Sequence, residues 1–476
     1  MVGGVATWWA YDSGLLSWSG TTSQAPLIVM ELGILGALSS IIFLLLRRSE
    51  RGLRGSLAAF LGIWLGVGIG ALAPGIAGET PVWRMTPESV AYRLDVVSQQ
   101  LPVELMDQVN NPLEGERSTL NYLAPLSDGG NLMVSSVGSE YFDLSDEGQA
   151  ETWDQISAVA TSWTAEGEMT QAASLSAVAP DVRLVRGMFF DEAASILYVS
   201  NARAEPDCGG LDLWSFAIDV ESLDLSEPSL LFETTPCLSG ISGHNQFGGR
   251  IAQDAEGVVY LSVGEYGNGL ATVRDELADG PFSGRPELLQ DPNTYGVVVE
   301  VSKDGAWQVV SRGHRNPQGL HYDSATQTLL LSEHGAKGGD EVNVIEQGQD
   351  YGWPDVTYAG PYGGNPQPDP SWSIDRWYGT NHGDFTEPLF TWLPSIAASQ
   401  LLVYGGDEFP AWDGDILLAS FKGNIHRLRV VDDRVVFDEE IAIGTRPRDL
   451  IELSDGRLRV TTDDNRVLTI GIGSSE

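Results

Sequence analysis

The feature that most constrains this chain is a short pattern written six times. An acidic turn leads, after a few residues, into an apolar run that closes on Ser or Thr. The copies are Asp128-Gly129 to Val134-Ser135, Asp191 to Val199-Ser200, Asp254 to Leu261-Ser262, Asp323 to Leu331-Ser332, Asp413 to Ala419-Ser420, and Asp455-Gly456 to Val460-Thr461. Apolar runs this short are strands, and the Asp/Gly clusters before them are turns. No long helical period interrupts them from residue 84 onward. Repeated strand units without helices build a propeller, whereas a two-sheet sandwich would be crowded by this many strands. The expected fold is all-β, a six-bladed β-propeller over residues 121–476. Residues 76–120 then serve as a linker with lead-in or ring-closing strands, and Asp143–Ser174 reads as a polar insertion. Loops at one mouth of a propeller converge on its central channel, which is where a cofactor or substrate would sit.

A different pattern precedes the propeller. Leu27 to Leu46 is an almost unbroken apolar run, long enough to cross a bilayer, and Ser56 to Pro74 is a second. Between them stand Arg47, Arg48, Arg51 and Arg54. The predicted organisation is a two-helix transmembrane hairpin over 27–75, with spans at about 27–46 and 55–75. The positive-inside rule puts its arginine-rich loop in the cytoplasm. Residues 1–26, with Trp8, Trp9 and Trp18 suited to a membrane interface, then lie outside, as does the large C-terminal domain (periplasmic or extracellular). Gly62, Gly66 and Gly70 form a flat stripe on the second span where another helix backbone can approach closely. That face either packs on the first span, which offers Gly33, Gly36, Ala37 and Ser40, or docks onto other membrane subunits.

The chain carries 66 acidic against 27 basic residues, a formal net charge of −39. A polyanion of this kind does not hold nucleic acid by neutralising phosphates, so that class of partner is excluded. Residues 1–83 balance their four Arg against Asp12, Glu31, Glu50 and Glu79, so the negative excess belongs entirely to the extracytoplasmic part. Cys208 and Cys237 are the two cysteines, and a disulfide between them suits a domain outside the cytoplasm.

Three polar stretches stand out against the strands. They are Gly313-His314-Arg315-Asn316-Pro317-Gln318-Gly319, then Glu333-His334-Gly335-Ala336 with Gly338-Gly339-Asp340-Glu341-Val342-Asn343, then Tyr351-Gly352-Trp353-Pro354. Together with Leu417–Lys422 and Thr445-Arg446-Pro447-Arg448-Asp449 they resemble the soluble PQQ-dependent aldose sugar dehydrogenases, the glucose/sorbosone dehydrogenase family. The resemblance covers about residues 181–470 and implies a six-bladed propeller that binds pyrroloquinoline quinone (PQQ) and calcium. By that resemblance Arg315, Asn316, Lys422, Arg446 and Arg448 contact the cofactor, and the backbone carbonyls of Gly335 and Ala336 hold the calcium ion. The chemistry is apt. PQQ carries three carboxylates, which guanidinium and ammonium groups bind by charge-assisted hydrogen bonds, and calcium prefers oxygen ligands. Asp340 and Glu341 are expected to brace the loop rather than to bind the ion.

The pattern breaks at the catalytic base. The family places a His four residues before an Arg, and here the run is Gln246-Phe247-Gly248-Gly249-Arg250. An amide cannot take a proton at any useful pH, whereas imidazole titrates near neutrality. His244 is a possible substitute, displaced by roughly 6–7 Å along an extended strand unless a bulge intervenes. A family Gln falls on Val185, and the Arg expected after the Val134 strand is replaced by Ser135-Ser136-Val137-Gly138; Glu265 fits its position. Two functions follow as expectations. One is a membrane-anchored, catalytically impaired propeller (a pseudoenzyme) serving as a structural or binding subunit of a respiratory, photosynthetic or secretory complex. The other is an active PQQ- and calcium-dependent aldose dehydrogenase passing electrons to a membrane acceptor. A third use is binding an extracellular carbohydrate or protein without a quinone, and the aromatic loop Trp372–Trp377 could stack on sugars.

Overall fold

The structure, a computed structural model, describes residues 94–100, 117–139, 156–204, 208–237, 246–266, 292–353, 356–359, 382–464 and 466–472. All lie in the compact unit Ala91–Glu476. The hairpin expected at 27–75, His244 and the Trp372–Trp377 loop fall outside the described residues. Among those described, no helix is long and apolar enough to cross a membrane.

Among the described residues, twenty-four strands form six four-stranded antiparallel sheets. Strand β1 (Leu94–Gln100) comes first and is held in reserve for the last sheet. Sheet one is β2 (Arg117–Pro125), β3 (Asn131–Ser139), β4 (Ser157–Trp163) and β5 (Met169–Ser174). Sheet two is β6 (Leu184–Asp191), β7 (Ile196–Ala204), β8 (Gly209–Asp219) and β9 (Asp224–Glu233). Sheet three is β10 (Gly248–Gln253), β11 (Val259–Val263), β12 (Val297–Val301) and β13 (Trp307–Arg312). Sheet four is β14 (Pro317–Asp323), β15 (Thr328–Glu333), β16 (Asp340–Ile345) and β17 (Phe390–Trp392). Sheet five is β18 (Ala398–Val403), β19 (Ile416–Ser420), β20 (Asn424–Val431) and β21 (Arg434–Ala442). Sheet six is β22 (Pro447–Glu452), β23 (Leu458–Thr462) and β24 (Arg466–Ile472), completed on its outer side by β1. The leading strands β2, β6, β10, β14, β18 and β22 touch one another in that order, and β22 returns to β2. The ring is closed, and the fold is the six-bladed propeller.

Each copy of the sequence pattern is the first turn and second strand of one sheet, and both halves of the pattern have a physical cause. In the turns the Asp carboxylate accepts backbone N–H groups that no strand can satisfy. Asp128 Oδ1 takes Gly130 N at 2.8 Å, Asp254 Oδ1 takes Val258 N at 2.8 Å, and Asp455 Oδ1 takes Arg457 N at 3.0 Å. The closing hydroxyls join one sheet to the next. Ser200 Oγ donates to Gly249 O and Ser332 Oγ to Ser399 O, both at 2.5 Å, and Thr461 Oγ1 donates to Asn121 O at 2.9 Å. Apolar side chains fill the spaces between neighbouring sheets, as where Met133, Val159 and Trp163 of sheet one meet Ile451, Leu453 and Val467 of sheet six or its turn. In the same way Leu330 and Val342 of sheet four meet Leu401, Ile416 and Leu418 of sheet five.

One expectation is corrected. Asp143–Ser174 is not an insertion throughout, because Ser157–Trp163 and Met169–Ser174 are β4 and β5 of sheet one. Their small and hydroxylated residues hide the strand signal. Ala158, Ala160 and Thr161 are fully buried against their neighbours yet carry little hydrophobicity to reveal it. Cys208 and Cys237 are joined, tying the chain ahead of β8 to the chain after β9 across a Cα–Cα distance of 5.0 Å.

Burial of His321 on β14 lowers its pKa to about 4, against the opposing pull of Asp323. The unfolded chain therefore takes up this proton first as the pH falls from about 6.5. The stability involved is complete above that value and is lost progressively toward pH 4. His321→Gln should lose less stability than the native chain between pH 7 and pH 4.5, as read from urea midpoints at the two pH values.

Candidate functional site

Five of the six leading strands begin with a register shift: Val185/Gly187, Gly248/Ile251, Pro317/Gly319, Ala398/Leu401 and Pro447/Asp449. Such bulges turn side chains away from the ladder, and they fall at the same end of these five sheets. That end is where the sequence motifs converge. Gly249 shows why glycine is needed there: its φ is +104°, and a Cβ would lie 2.4 Å from Arg186 Cβ.

The residues expected to clamp the cofactor come from sheets four, five and six and meet around two rings. Asn316 Nδ2 approaches His334 Nδ1 at 3.3 Å, and the His334 ring stands edge-on to Phe421 at 5.7 Å. The guanidinium carbons of Arg446 and Arg448 lie 4.8 and 4.4 Å from the centroid of that same Phe421. Both arginines share one carboxylate, Asp463, at 2.9 and 2.7 Å. Lys422 follows Phe421 in the chain, is exposed, and makes no ion pair among the described residues. His334 Nε2 is buried without a partner. Burial first, and then the charges of Arg315 and Arg448, lower the pKa of His334 against the pull of Asp340. The structure thus gathers Arg315, Asn316, Arg446 and Arg448 with Lys422 alongside. The sequence motifs had not singled out His334 and Phe421 as the rings between them.

Gln246 is placed beside Arg315 and Glu265. With its amide turned to satisfy both neighbours, it accepts from Arg315 Nη2 and donates to Glu265 Oε1, each at 2.9 Å. Glu265 Oε2 accepts from Trp353 Nε1 at 2.8 Å, and Arg315 lies over the Trp353 ring at 5.4 Å. Glu265 and Trp353 therefore orient whatever side chain stands at 246.

The loop of Gly335 and Ala336 is braced from behind. Asp340 accepts from Gly335 N at 3.1 Å, Ser395 Oγ at 2.8 Å and Ala397 N at 2.5 Å, which is the bracing role expected of it. Arg315 Nη1 donates to the carbonyls of His334 at 3.1 Å and Gly335 at 2.6 Å. Beneath, Glu333 accepts from Arg315 N at 2.6 Å and pairs with His314 Nδ1 at 2.9 Å, fixing the backbone that carries Arg315. Glu341 lies deeper, where burial and then the charge of Glu333 push its carboxyl well above the usual range. A small pocket lined by Arg315, Glu333, His334, Gly335, Glu341 and Trp353 opens between these layers.

The channel itself is crossed by a buried ion pair. Arg250 of β10 meets Asp449 of β22 at 2.7 Å, with side chains 6% and 4% exposed. Arg250 also donates to Gln318 O at 2.6 Å and Arg448 O at 2.7 Å and stacks on Tyr122 at 4.8 Å. One residue therefore touches sheets one, four and six from sheet three.

Similar proteins place the chain in a family. The chain is 31% identical over 229 residues to an aldose sugar dehydrogenase of Escherichia coli, covering 47% of this chain and 59% of that one. It is 26% identical over 292 residues to quinoprotein glucose dehydrogenase B of Acinetobacter calcoaceticus, covering 48% and 61%. The chain thus spans a little over half the length of these relatives. Among solved structures, the apo-form of the soluble E. coli aldose sugar dehydrogenase superposes with a TM-score of 0.56 at 22% identity, over 80% of this chain and all of that one. The PQQ-bound aldose sugar dehydrogenase of Streptomyces coelicolor superposes at 0.50 with 20% identity and the same coverage. The glucose/sorbosone dehydrogenase pattern matches residues 181–469, well over half the chain, and this protein belongs to that family.

Proposed function

We propose that the chain is a sugar-dehydrogenase-like propeller that binds a PQQ-type quinone but carries an impaired proton-abstracting site, tethered outside a membrane by its N-terminal hairpin. The observation that carries this reading is the contrast between two halves of one site. The cationic half is assembled, with Arg446 and Arg448 against Phe421 and a partnerless His334 Nε2 among them. The base position holds an amide locked between Glu265 and Arg315.

The cationic half fits a tricarboxylate. Two guanidiniums there share one carboxylate, so their fork-shaped donors are not saturated, and Lys422 stands next to them. Bound PQQ would supply an ortho-quinone able to accept a hydride. Arg315, Asn316, Lys422, Arg446 and Arg448 would hold its carboxylates and oxygens. The carbonyl of Gly335 keeps a second lone pair beside the one given to Arg315, which with Ala336 offers calcium neutral oxygen ligands. On the sugar side, Gln246 can donate to or accept from a hydroxyl but cannot remove its proton. Membrane anchoring, an extracytoplasmic location and partners on the Gly62/Gly66/Gly70 face complete the reading. They rest on the apolar runs and their arginines.

The test is a titration of the calcium-loaded full-length protein with PQQ, followed by an aldose panel under anaerobic conditions. The expected result is saturable quinone binding with little or no reduction by sugars. Arg448→Ala should weaken quinone binding by roughly tenfold or more, since a charge-assisted pair contributes about 1.5–3 kcal/mol. Absence of binding by the native chain would overturn the quinone reading. Rapid reduction by an aldose would overturn the impairment and restore the active dehydrogenase as the function.

A further inference from the structure

Arg186 has no place in the reading so far. It stands on β6 of sheet two and its guanidinium carbon lies 4.6 Å from the centroid of Phe247, the residue after Gln246. Its Nε is shut from solvent and bonded to nothing. The groups that act on it most, after burial itself, are the hydroxyl of Tyr122, the repelling charge of Arg448 and the hydroxyl of Tyr266. No carboxylate is among them, and Arg186 forms no ion pair among the described residues. Three other arginines differ: Arg203 pairs with Asp212 at 2.7 Å, Arg250 with Asp449 at 2.7 Å and Arg427 with Asp415 at 2.8 Å, whereas Arg459, also without an ion pair among the described residues, donates to Asn131 Oδ1, Thr164 O and Ala165 O. In a chain with 66 acidic and 27 basic residues, a half-buried guanidinium that has no carboxylate partner among the described residues is open to an external anion.

Its position indicates which anion. Of the clamp residues, Arg446 and Arg448 lie on Phe421, while Arg315 reaches Gln246. Arg186, Phe247 and Tyr122 belong to sheets two, three and one, on the Gln246 side, where the sugar would lie. Arg186 is half-buried, and the two terminal nitrogens of a guanidinium can take a carboxylate end-on with two parallel hydrogen bonds. We infer that Arg186 forms a carboxylate subsite on the carbohydrate side of the pocket, and that the ligand class is an acidic sugar, an aldose bearing a carboxylate as uronic acids do. This rests on the sugar-dehydrogenase-like reading given above.

The experiment uses the full-length protein without quinone, titrated calorimetrically with D-glucuronate, D-glucose and sodium sulfate at constant ionic strength. The native chain should bind glucuronate at least about tenfold more tightly than glucose or sulfate, as one charge-assisted bidentate pair allows. Arg186→Gln should lose that preference while its affinity for PQQ, measured separately, stays within about twofold of native. Equal binding of glucuronate and glucose by the native chain would overturn the inference. So would sulfate binding as tightly as glucuronate, which would mark a site for any anion. A loss of PQQ affinity in Arg186→Gln with glucuronate binding intact would assign the guanidinium to the quinone instead and overturn it too. Should Arg186→Gln fail to fold by circular dichroism, Arg186→Lys and the native preference decide the matter. A native chain that binds glucuronate but no PQQ would refute the quinone reading and leave the carboxylate subsite standing.

Discussion

Gln246→His is expected to raise aldose oxidation by the quinone-loaded protein about 10²–10⁴-fold, the usual contribution of a positioned general base. The surroundings are ready for an imidazole. Glu265 Oε1 already accepts from the side chain at this position at 2.9 Å and would hold a ring N–H, leaving the other nitrogen free to accept a proton. Trp353 keeps Glu265 in place through its 2.8 Å hydrogen bond, so the orienting group does not have to be built. Steady-state reduction of a dye, followed from pH 5 to 9, should show activity rising as the new imidazole loses its proton near neutrality. Gln246→Ala serves as the control and should show no such limb. If the His variant stays as slow as the native chain, the proton is not limiting at 246 and the assignment of this position is wrong. His244→Ala in the native background separates the remaining possibility: any residual turnover that vanishes with it would make His244 the working base.

Arg250→Met should cost about 3–5 kcal/mol of stability, the typical loss when one partner of a buried pair is removed and the other is left charged. The effect is large because the pair spans sheets that stand opposite one another in the ring. Asp449 would keep its bond from Leu123 N at 2.6 Å but would lose the guanidinium that offsets its burial. The carbonyls of Gln318 and Arg448 would lose their donors as well. Asp449→Asn should be milder, since an amide can still accept from Arg250. The double variant Arg250→Met/Asp449→Leu should recover much of the loss, because a well-packed apolar replacement avoids the stranded charge. Urea denaturation of the three variants measures all of this. A small effect from Arg250→Met alone would mean that water or other groups reach Asp449 in its place.

Much of this architecture could be read from residue order. The six-fold pattern marked the second strand of every sheet because its two ends have fixed duties, Asp binding turn amides and Ser or Thr reaching the next sheet. The clamp motifs were readable for a related reason: they sit on loops at one mouth, where polar residues stand out against apolar strands. Strands β4 and β5 escaped because Ala and Thr fill a tight space without announcing it. Arg186 escaped for another reason. Its neighbours Tyr122, Phe247 and Arg448 are far away in the chain, and only closure of the ring brings them together. The role of Glu265 lay between these cases, since its position was recognisable but its bond to Trp353 was not.

Strand β1 pairs with β24 from Leu94↔Ile472 to Gln100↔Arg466, with five whole sheets between the two in the chain. A growing polypeptide therefore exposes β1 long before its partner exists, and the sixth sheet cannot be completed until β24 has been made. The same seam would carry load. A pull on the chain ahead of Leu94 reaches the propeller through these seven residue pairs before it reaches any other sheet. The junction between whatever precedes the propeller and the propeller itself is thus a latch, the last contact to form and the first to feel tension.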